Sequence, residues 1–433
     1  MTSYLTKRRE RAAKAWNLSD EIVLIGAGEP LGIPGGADQT YPFLSHSDYF
    51  YLCDRETIGG VLAFDPKEGW TDFVPDVTEA ERVWEGRTDS PGTSIGALAG
   101  WMGARRGRPV VMLGVPLPGV RFDAVRSEEL RDVLLHVRRP KDEIELERMR
   151  KAAAASAAGY AAIEGLIRPG VSERAIQVEL EAEFMRKGGD RTAYGTIVAA
   201  GSNSAVLHFT PTSRALKEGD VVLIDAGAEV NRYCADVTRT WRVESGSAAK
   251  PTTDEGFYRE LYQVVLGILE RGVARCTVGA EWRDVHLAAC LEVAEGLAHL
   301  GVMRGDANSL VERDAHALFF PHGLGHMVGL GVRDAGGYLK GRVRSNRPGL
   351  RNLRTDLPLE PGYTITVEPG IYFIPALLQD AARREQYRDA VNWPMVDGLL
   401  EFGGIRLEDN VHVTTDGPEN LTAAIPRNLA PVR

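Results

Sequence analysis

Two aspartates, two glutamates and two histidines in the last half of the chain have the residue types and spacing for metal chemistry. Val221-Val-Leu-Ile-Asp225-Ala-Gly227 ends an apolar run on a carboxylate, which is costly in a buried strand unless a cation meets it. Eleven residues later Asp236 stands in Cys234-Ala-Asp236-Val-Thr238. Between them, Glu229-Val-Asn-Arg232 reads as a hairpin turn that brings the two aspartates together. Paired carboxylates repel, and a divalent cation removes that repulsion. For either Asp alone a turn or capping role is the better reading; for the pair the two readings weigh the same. Pro321-His322-Gly-Leu-Gly-His326 places two histidines four apart. Its glycines argue for extended chain with close backbone approach, and it lacks the intervening glutamate of a zinc-binding HExxH helix.

Thr364-Ile-Thr-Val-Glu368-Pro-Gly370 and Gly403-Gly404-Ile-Arg406-Leu-Glu408-Asp409 each end a strand-like run on a glutamate. Alone, either could be a solvated strand end. Together, Asp225, Asp236, His326, Glu368 and Glu408 offer four carboxylates and one imidazole. Four negative charges match two divalent cations. Oxygen-rich ligation puts Mn²⁺ first, with Co²⁺, Fe²⁺ and Zn²⁺ as alternatives. Two such ions roughly 3.5 Å apart can share a hydroxide and clamp a polarised carbonyl.

The elements that must position these groups begin near Arg138-Arg139-Pro140-Lys141-Asp142, where the texture changes. Before it, Ile22–Ile25, Tyr49–Leu52, Gly60–Phe64 and Pro109–Leu113 read as strands, and Ala80–Trp84 and Ser94–Arg105 as helical stretches. The alternation predicts an α/β domain with a partly parallel sheet. Gly26-x-Gly28 lacks the rest of a dinucleotide fingerprint and makes only a turn. After it, Asp142 can cap an Ala-rich helix over Glu143–Ile167. Ser172 can cap a second helix that presents Ile176, Leu180 and Phe184 on one face. Two more amphipathic helices fall at Asp254–Arg271 and Glu281–Leu300 among antiparallel strands. The domain boundary therefore lies between 138 and 139.

The 433 residues suit two domains. A net charge of -9 argues against a nucleic-acid partner held by counterion release. No apolar run approaches the roughly 18 residues of a membrane helix. The first residues carry charge and no apolar core of a secretory signal. Cys53, Cys234, Cys276 and Cys290 are scattered without a CxxC, as four buried thiols in a reducing compartment would be. The expected location is the cytoplasm.

The order DAG, D, HGLGH, EPG and GGIRLED resembles the pita-bread metallopeptidases, the family of methionine aminopeptidase, aminopeptidase P, prolidase and creatinase. The resemblance covers essentially the whole chain. It implies an α/β N-terminal domain of the creatinase and prolidase type over 1–138 and an α+β pita-bread catalytic domain over 139–433. Arg347-Pro-Gly-Leu-Arg-Asn-Leu-Arg354, Glu368-Pro-Gly-Ile-Tyr-Phe-Ile374 and Leu377-Leu378 look like prolidase, the Xaa-Pro dipeptidase. By resemblance, Asp225 would chelate one metal, Asp236 and Glu408 bridge both, and His326 and Glu368 complete the second. Glu368 would also take a proton from the bridging water. His208 matches a histidine near the substrate, and His322 one that steadies the tetrahedral intermediate. Tyr194 and Arg406 match residues lining the metal site, where Arg406 can hold a ligand carboxylate.

One position departs from the pattern: Arg333 stands where the family usually has a histidine. Arginine binds a carboxylate but exchanges no proton at neutral pH. Its role is either a second contact to the substrate or an ion pair with a loop carboxylate such as Asp334. Of the basic run Arg342, Arg344, Arg347, Arg351 and Arg354, most reads as solvated loop. Arg354 is the exception, matching the prolidase arginine that grips a dipeptide's free carboxylate. The leading expectation is a homodimeric dinuclear hydrolase of proline-containing dipeptides. Aminopeptidase P activity on longer peptides is the nearest alternative. Creatinase-like hydrolysis and a metal-free peptide-binding module are weaker, because all five ligands are kept.

Overall fold

Apolar runs without alternation mark strands covered on both faces, and the first part of the chain is built from them. The computed structural model describes residues 3–244 and 253–427. The chain divides into two compact units, Met1–Arg138 and Arg139–Arg433. In the first, β1 (Ile22–Gly26) lies between β2 (Val61–Asp65), antiparallel to it, and β5 (Val110–Gly114), parallel to it. Beyond β2 come β3 (Gly69–Val74) and β4 (Thr93–Ser94), giving the order β4-β3-β2-β1-β5. Helices Ser3–Trp16 and Ala124–Arg138 pack together, and Trp16 meets Phe64 and Trp70. Leu24, Ala63 and Met112 form a core with Leu98 and Trp101 of the segment 95–103.

Tyr49–Leu52 is not a strand. It lies in a helix, Ser47–Cys53, capped by the His46 ring, which accepts from the Asp48 N–H. Every residue after Ser47 in this helix is buried, so no polar face exists to reveal the helical period.

Asp65 closes β2 and is fully buried. It accepts from Arg105 Nε at 2.6 Å and from both terminal nitrogens of Arg108 at 2.9 Å. The Arg108 fork holds its carboxyl well below the usual range. Asp65→Asn is expected to cost about 3 kcal/mol at pH 7, because it leaves two guanidiniums without their shared partner. A depressed folded pKa gives stability that is present above the ordinary 3.8 and is lost as pH falls through the folded value. Urea unfolding at pH 7 and pH 3 should therefore show the gap between wild type and variant narrowing in acid. An equal gap at both pH values would remove the ion pair as its cause.

In the second unit, helix Glu143–Ile163 begins with a full capping box between Asp142 and Glu145. It packs on helix Glu173–Arg186, capped by Ser172, with Ile176, Leu180 and Phe184 buried. Gly159 allows this approach, since a Cβ there would lie 2.3 Å from the Phe184 ring. These helices share a core with Val198, Val222 and Ile224. The strand Val221–Asp225 runs antiparallel between Ile197–Ala200 and Thr238–Arg242. Helices Thr253–Ala274 and Trp282–His299 share a larger core with Ile365, Val367, Val411 and Val413. There Thr364–Val367 pairs with Asp409–Thr414, and Gly370–Tyr372 with Gly404–Arg406. The four cysteines are buried and free.

Candidate metal centre and active-site cleft

Strand register decides which side chains meet. Asp225 ends its strand with Ile197 and Thr238 as lateral partners, and Thr238 bridges in turn to Glu408. Asp225, Thr238 and Glu408 thus occupy adjacent rows. The hairpin that returns Asp236 is tighter than its sequence suggests: Ala228–Val230 is strand, pairing with Tyr233–Cys234, and only Asn231 and Arg232 turn, both at positive φ. Asn410 then fixes the Asp236 peptide from both sides, accepting from its N–H at 2.9 Å and donating to its C=O at 2.6 Å.

The His322–His326 segment is extended and lies along Thr364–Val367. Thr366 N donates to His326 O at 2.9 Å and Glu368 N to Leu324 O at 2.7 Å. Gly325 is required here, because a Cβ would sit 1.9 Å from the Thr366 carbonyl oxygen. This pairing carries His326 and Glu368 to the same cleft.

All the residues singled out from the sequence line one cavity of about 640 Å³: Tyr194, His208, Asp225, Asp236, His322, His326, Arg333, Arg354, Glu368, Arg406 and Glu408. Ligand atoms of Asp236, His326 and Glu408, all buried, lie within 4.8 Å of one another. His326 Nε2 is 3.4 Å from Asp236 Oδ2 and 3.9 Å from Glu368 Oε1. Its Nδ1 lies 3.0 Å from the Met327 carbonyl, which leaves Nε2 as the nitrogen available to a metal ion. Asp225 accepts from Tyr194 at Oδ1 and from Arg406 Nη2 at Oδ2, each at 2.6 Å.

Burial pushes the Glu408 carboxyl far up, and Asp236, Glu368 and Asp225 add to the rise. Burial likewise raises Asp225 and Glu368, with Arg406 and His326 opposing it. On His326, burial favours the neutral ring, but Asp236 and Glu368 prevail and raise its pKa. Arg406 offsets one of four clustered carboxylates. The remaining charge, the oxygen-rich donors and the single outward imidazole nitrogen fit divalent cations. A solvated strand end is excluded for Glu408, which is 2% exposed.

Around this cluster, His208, Arg333 and Arg354 are exposed at the cavity wall. Among the described residues neither Arg333 nor Arg354 has a protein hydrogen-bond or ion-pair partner. Arg333 and Arg344 both disfavour the Arg354 charge, after burial, while Glu368 favours it. The carboxylate of Asp334 is taken by Lys141 Nζ at 3.0 Å and by the N–H groups of Leu330 and Ala335. Most of the basic run is exposed loop, as expected: Arg344, Arg347, Arg351 and Arg354 are exposed, and only Arg342 is half-buried. Arg342 pairs with Glu281 and Asp356, Arg347 with Asp314, and Arg344 lies over the Tyr338 ring.

Two residues of the site escaped the sequence reading. Thr238 Oγ1 donates to Glu408 Oε2 at 2.7 Å and accepts from Arg406 Nε at 3.0 Å. Tyr372, fully buried, accepts from Arg406 Nη1 at 2.8 Å and so gives its own proton to His322 Nε2 at 2.9 Å. His322 Nδ1 then carries the ring proton and donates it to Gly323 O at 2.9 Å. Burial holds this ring neutral, its pKa lowered to about 3. A tyrosine in an otherwise apolar strand reads as core; its need for a hydroxyl partner was the available signal.

Residues 147–415 match the family model described as metallopeptidase family M24. A probable Xaa-Pro aminopeptidase of Fusarium vanettenii is 32% identical over 417 residues, covering 90% of this chain and 86% of that protein. The human Xaa-Pro dipeptidase is 34% identical over 318 residues, covering 71% of this chain and 63% of its own. Among solved structures, aminopeptidase PepP of Pseudomonas aeruginosa has a TM-score of 0.78 at 26% identity, covering 99% of this chain and 97% of that one. A zinc-substituted Escherichia coli aminopeptidase P in complex with product has a TM-score of 0.77 at 26% identity, with 99% and 97% covered. With the ligand cluster, the two-unit architecture and these matches together, the chain belongs to the M24 metallopeptidases and has their pita-bread fold, following in sequence an α/β N-terminal domain.

Proposed function

We propose that the protein is an Xaa-Pro dipeptidase of the prolidase type. The observation that carries this reading is the pair Arg333 and Arg354, two guanidiniums without protein partners among the described residues, on the wall of the cleft that holds the carboxylate cluster. Their mutual repulsion is relieved by an anion, and a fork-shaped donor suits a free C-terminal carboxylate. A dipeptide brings that carboxylate one residue from the scissile bond; a longer peptide does not.

Asp225, Asp236, His326, Glu368 and Glu408 would hold two divalent ions, Mn²⁺ first. Bound there, the ions supply Lewis acidity at the scissile carbonyl and an activated water. Tyr194 and Arg406 orient Asp225 for that task through both its oxygens. Glu368, at the edge of the cluster and more open than Glu408, takes the proton from the attacking water and passes it to the proline nitrogen of the leaving group. His322, kept neutral beside Glu368, orders the wall that the peptide carbonyl faces, and His208 borders the entrance. We further propose a cytoplasmic homodimer. Among the described residues no helix is long and apolar enough to cross a membrane.

Aminopeptidase P activity is the second reading, favoured by the names of the Fusarium vanettenii relative and of the solved structures. Leu-Pro against Leu-Pro-Pro separates the two: kcat/KM should favour the dipeptide, and preference for the tripeptide would install the second reading. Arg354→Ala should lose about tenfold or more in kcat/KM on Leu-Pro, the cost of a charge-assisted hydrogen bond. The loss should shrink on Leu-Pro amide, and Arg333→Ala should move the same ratio in the same direction. Equal losses on acid and amide would place the arginine's role elsewhere.

A further inference from the structure

Behind the cleft, outside its lining, helix Trp282–His299 carries His286 with its ring 1% exposed. The Leu324 N–H donates to His286 Nδ1 at 3.2 Å, and His286 Nε2 lies 2.7 Å from the Gly349 carbonyl oxygen. A backbone N–H can only donate, so Nδ1 is bare and the single ring proton sits on Nε2, directed at Gly349. Cys290 Sγ is 3.4 Å from Nε2, and the Phe320 ring packs alongside. Burial lowers the pKa of this ring and keeps it in the neutral form that makes both bonds.

The two backbones it joins carry different halves of the site. Leu324 stands between His322 and His326, and its carbonyl accepts from Glu368 N at 2.7 Å. Gly349 lies in the arm that ends at Arg354. Its N–H donates to Asp314 Oδ1 at 3.3 Å, and Asp314 also pairs with Arg347 of that arm at 3.1 Å. A Cβ on Gly349 would come within 2.8 Å of Asp314 Oδ1 and His316 Nε2, so the arm is seated closely there. Farther along, the Asn352 and Leu353 backbone lies against Gly323.

We propose that His286 is a positioning residue whose two ring nitrogens separately set the backbone of His322, His326 and Glu368 and the arm that presents Arg354. The Arg354 half rests on the dipeptidase reading; the metal half does not.

Asn and Gln divide the imidazole between them. His286→Asn keeps an acceptor near Nδ1 and loses the donor to Gly349; His286→Gln keeps a donor near Nε2 and loses the acceptor for Leu324. For His286→Asn the expected result on Leu-Pro is a KM raised about three- to tenfold, with kcat and Mn²⁺ affinity by calorimetry near wild type. On Leu-Pro amide its KM should change little. For His286→Gln the expected result is a kcat lowered about tenfold or more and a Mn²⁺ affinity weakened about tenfold, with KM nearly kept. If both variants change the same parameter, or lower only the melting temperature, His286 is a core residue and the proposal is overturned. If wild type cleaves neither Leu-Pro nor Leu-Pro-Pro, the dipeptidase reading fails instead. The Mn²⁺ affinities then decide on His286: weakening in the Gln variant alone supports it, and equal affinities overturn it.

Discussion

Asp236→Ala is expected to fold, to lose stoichiometric metal and to lose activity by about a thousandfold or more. The fold should survive because the Asp236 backbone is held on both sides by the Asn410 amide, which the substitution leaves in place. The metal should not, because Asp236 is one of the three side chains whose ligand atoms converge within 4.8 Å. Loss of Lewis-acid stabilisation worth several kcal/mol sets the scale of the activity change. One consequence separates this from general damage. Asp236 raises the pKa of both Glu408 and Asp225 by like-charge repulsion, after burial. The metal-free variant should therefore melt no lower than metal-free wild type, whereas with Mn²⁺ present wild type should melt higher. Glu408→Ala should repeat the loss of metal and activity. Two tightly bound ions in Asp236→Ala, by elemental analysis after dialysis, would sink the assignment.

The sequence exposes a site such as this where a side chain is out of place for its element. A carboxylate closing Val221–Val–Leu–Ile, or following Thr364–Ile–Thr–Val, violates the apolar pattern around it, and burial makes the violation meaningful. Gly325 is legible for a related reason: a glycine between two histidines forbids a helix, and the Thr366 carbonyl occupies the space a Cβ would take. Tyr372 and Thr238 break no pattern. Both are ordinary strand residues, and only the three-dimensional register brings them to Arg406. His286 is hidden in the same way, on the buried face of an amphipathic helix. Tyr49–Leu52 reads as a strand because Tyr-Phe-Tyr-Leu carries strand propensity, and full burial of this helix removes the periodicity that would correct it. The ion pairs of Arg342 and Arg347 are not legible in sequence, because their partners, Glu281, Asp356 and Asp314, are not sequence neighbours.

Arg406→Leu tests whether this arginine serves the substrate or the metal ligands. Its side chain is 5% exposed, and Nε, Nη1 and Nη2 donate to Thr238, Tyr372 and Asp225. With those bonds made, it acts on substrate only through other groups. Burial raises the Asp225 carboxyl, and Arg406 is the largest opposing influence. Without the guanidinium, Asp225 keeps only the Tyr194 bond, its pKa rises further, and a proton competes with the metal for its carboxylate. Removing one partner of a buried pair costs about 3 kcal/mol or more, so kcat/KM should fall by over roughly a hundredfold and Mn²⁺ affinity with it. Arg406→Lys keeps the charge but not the fork, so it should fall between the two. Asp225→Asn should lose activity as well, and the double variant Asp225→Asn with Arg406→Leu should lose little more than either alone, because both act on one ligand. If Arg406→Leu instead raises KM alone, with kcat and Mn²⁺ affinity unchanged, Arg406 contacts the peptide directly, and its bond to Asp225 is incidental to catalysis.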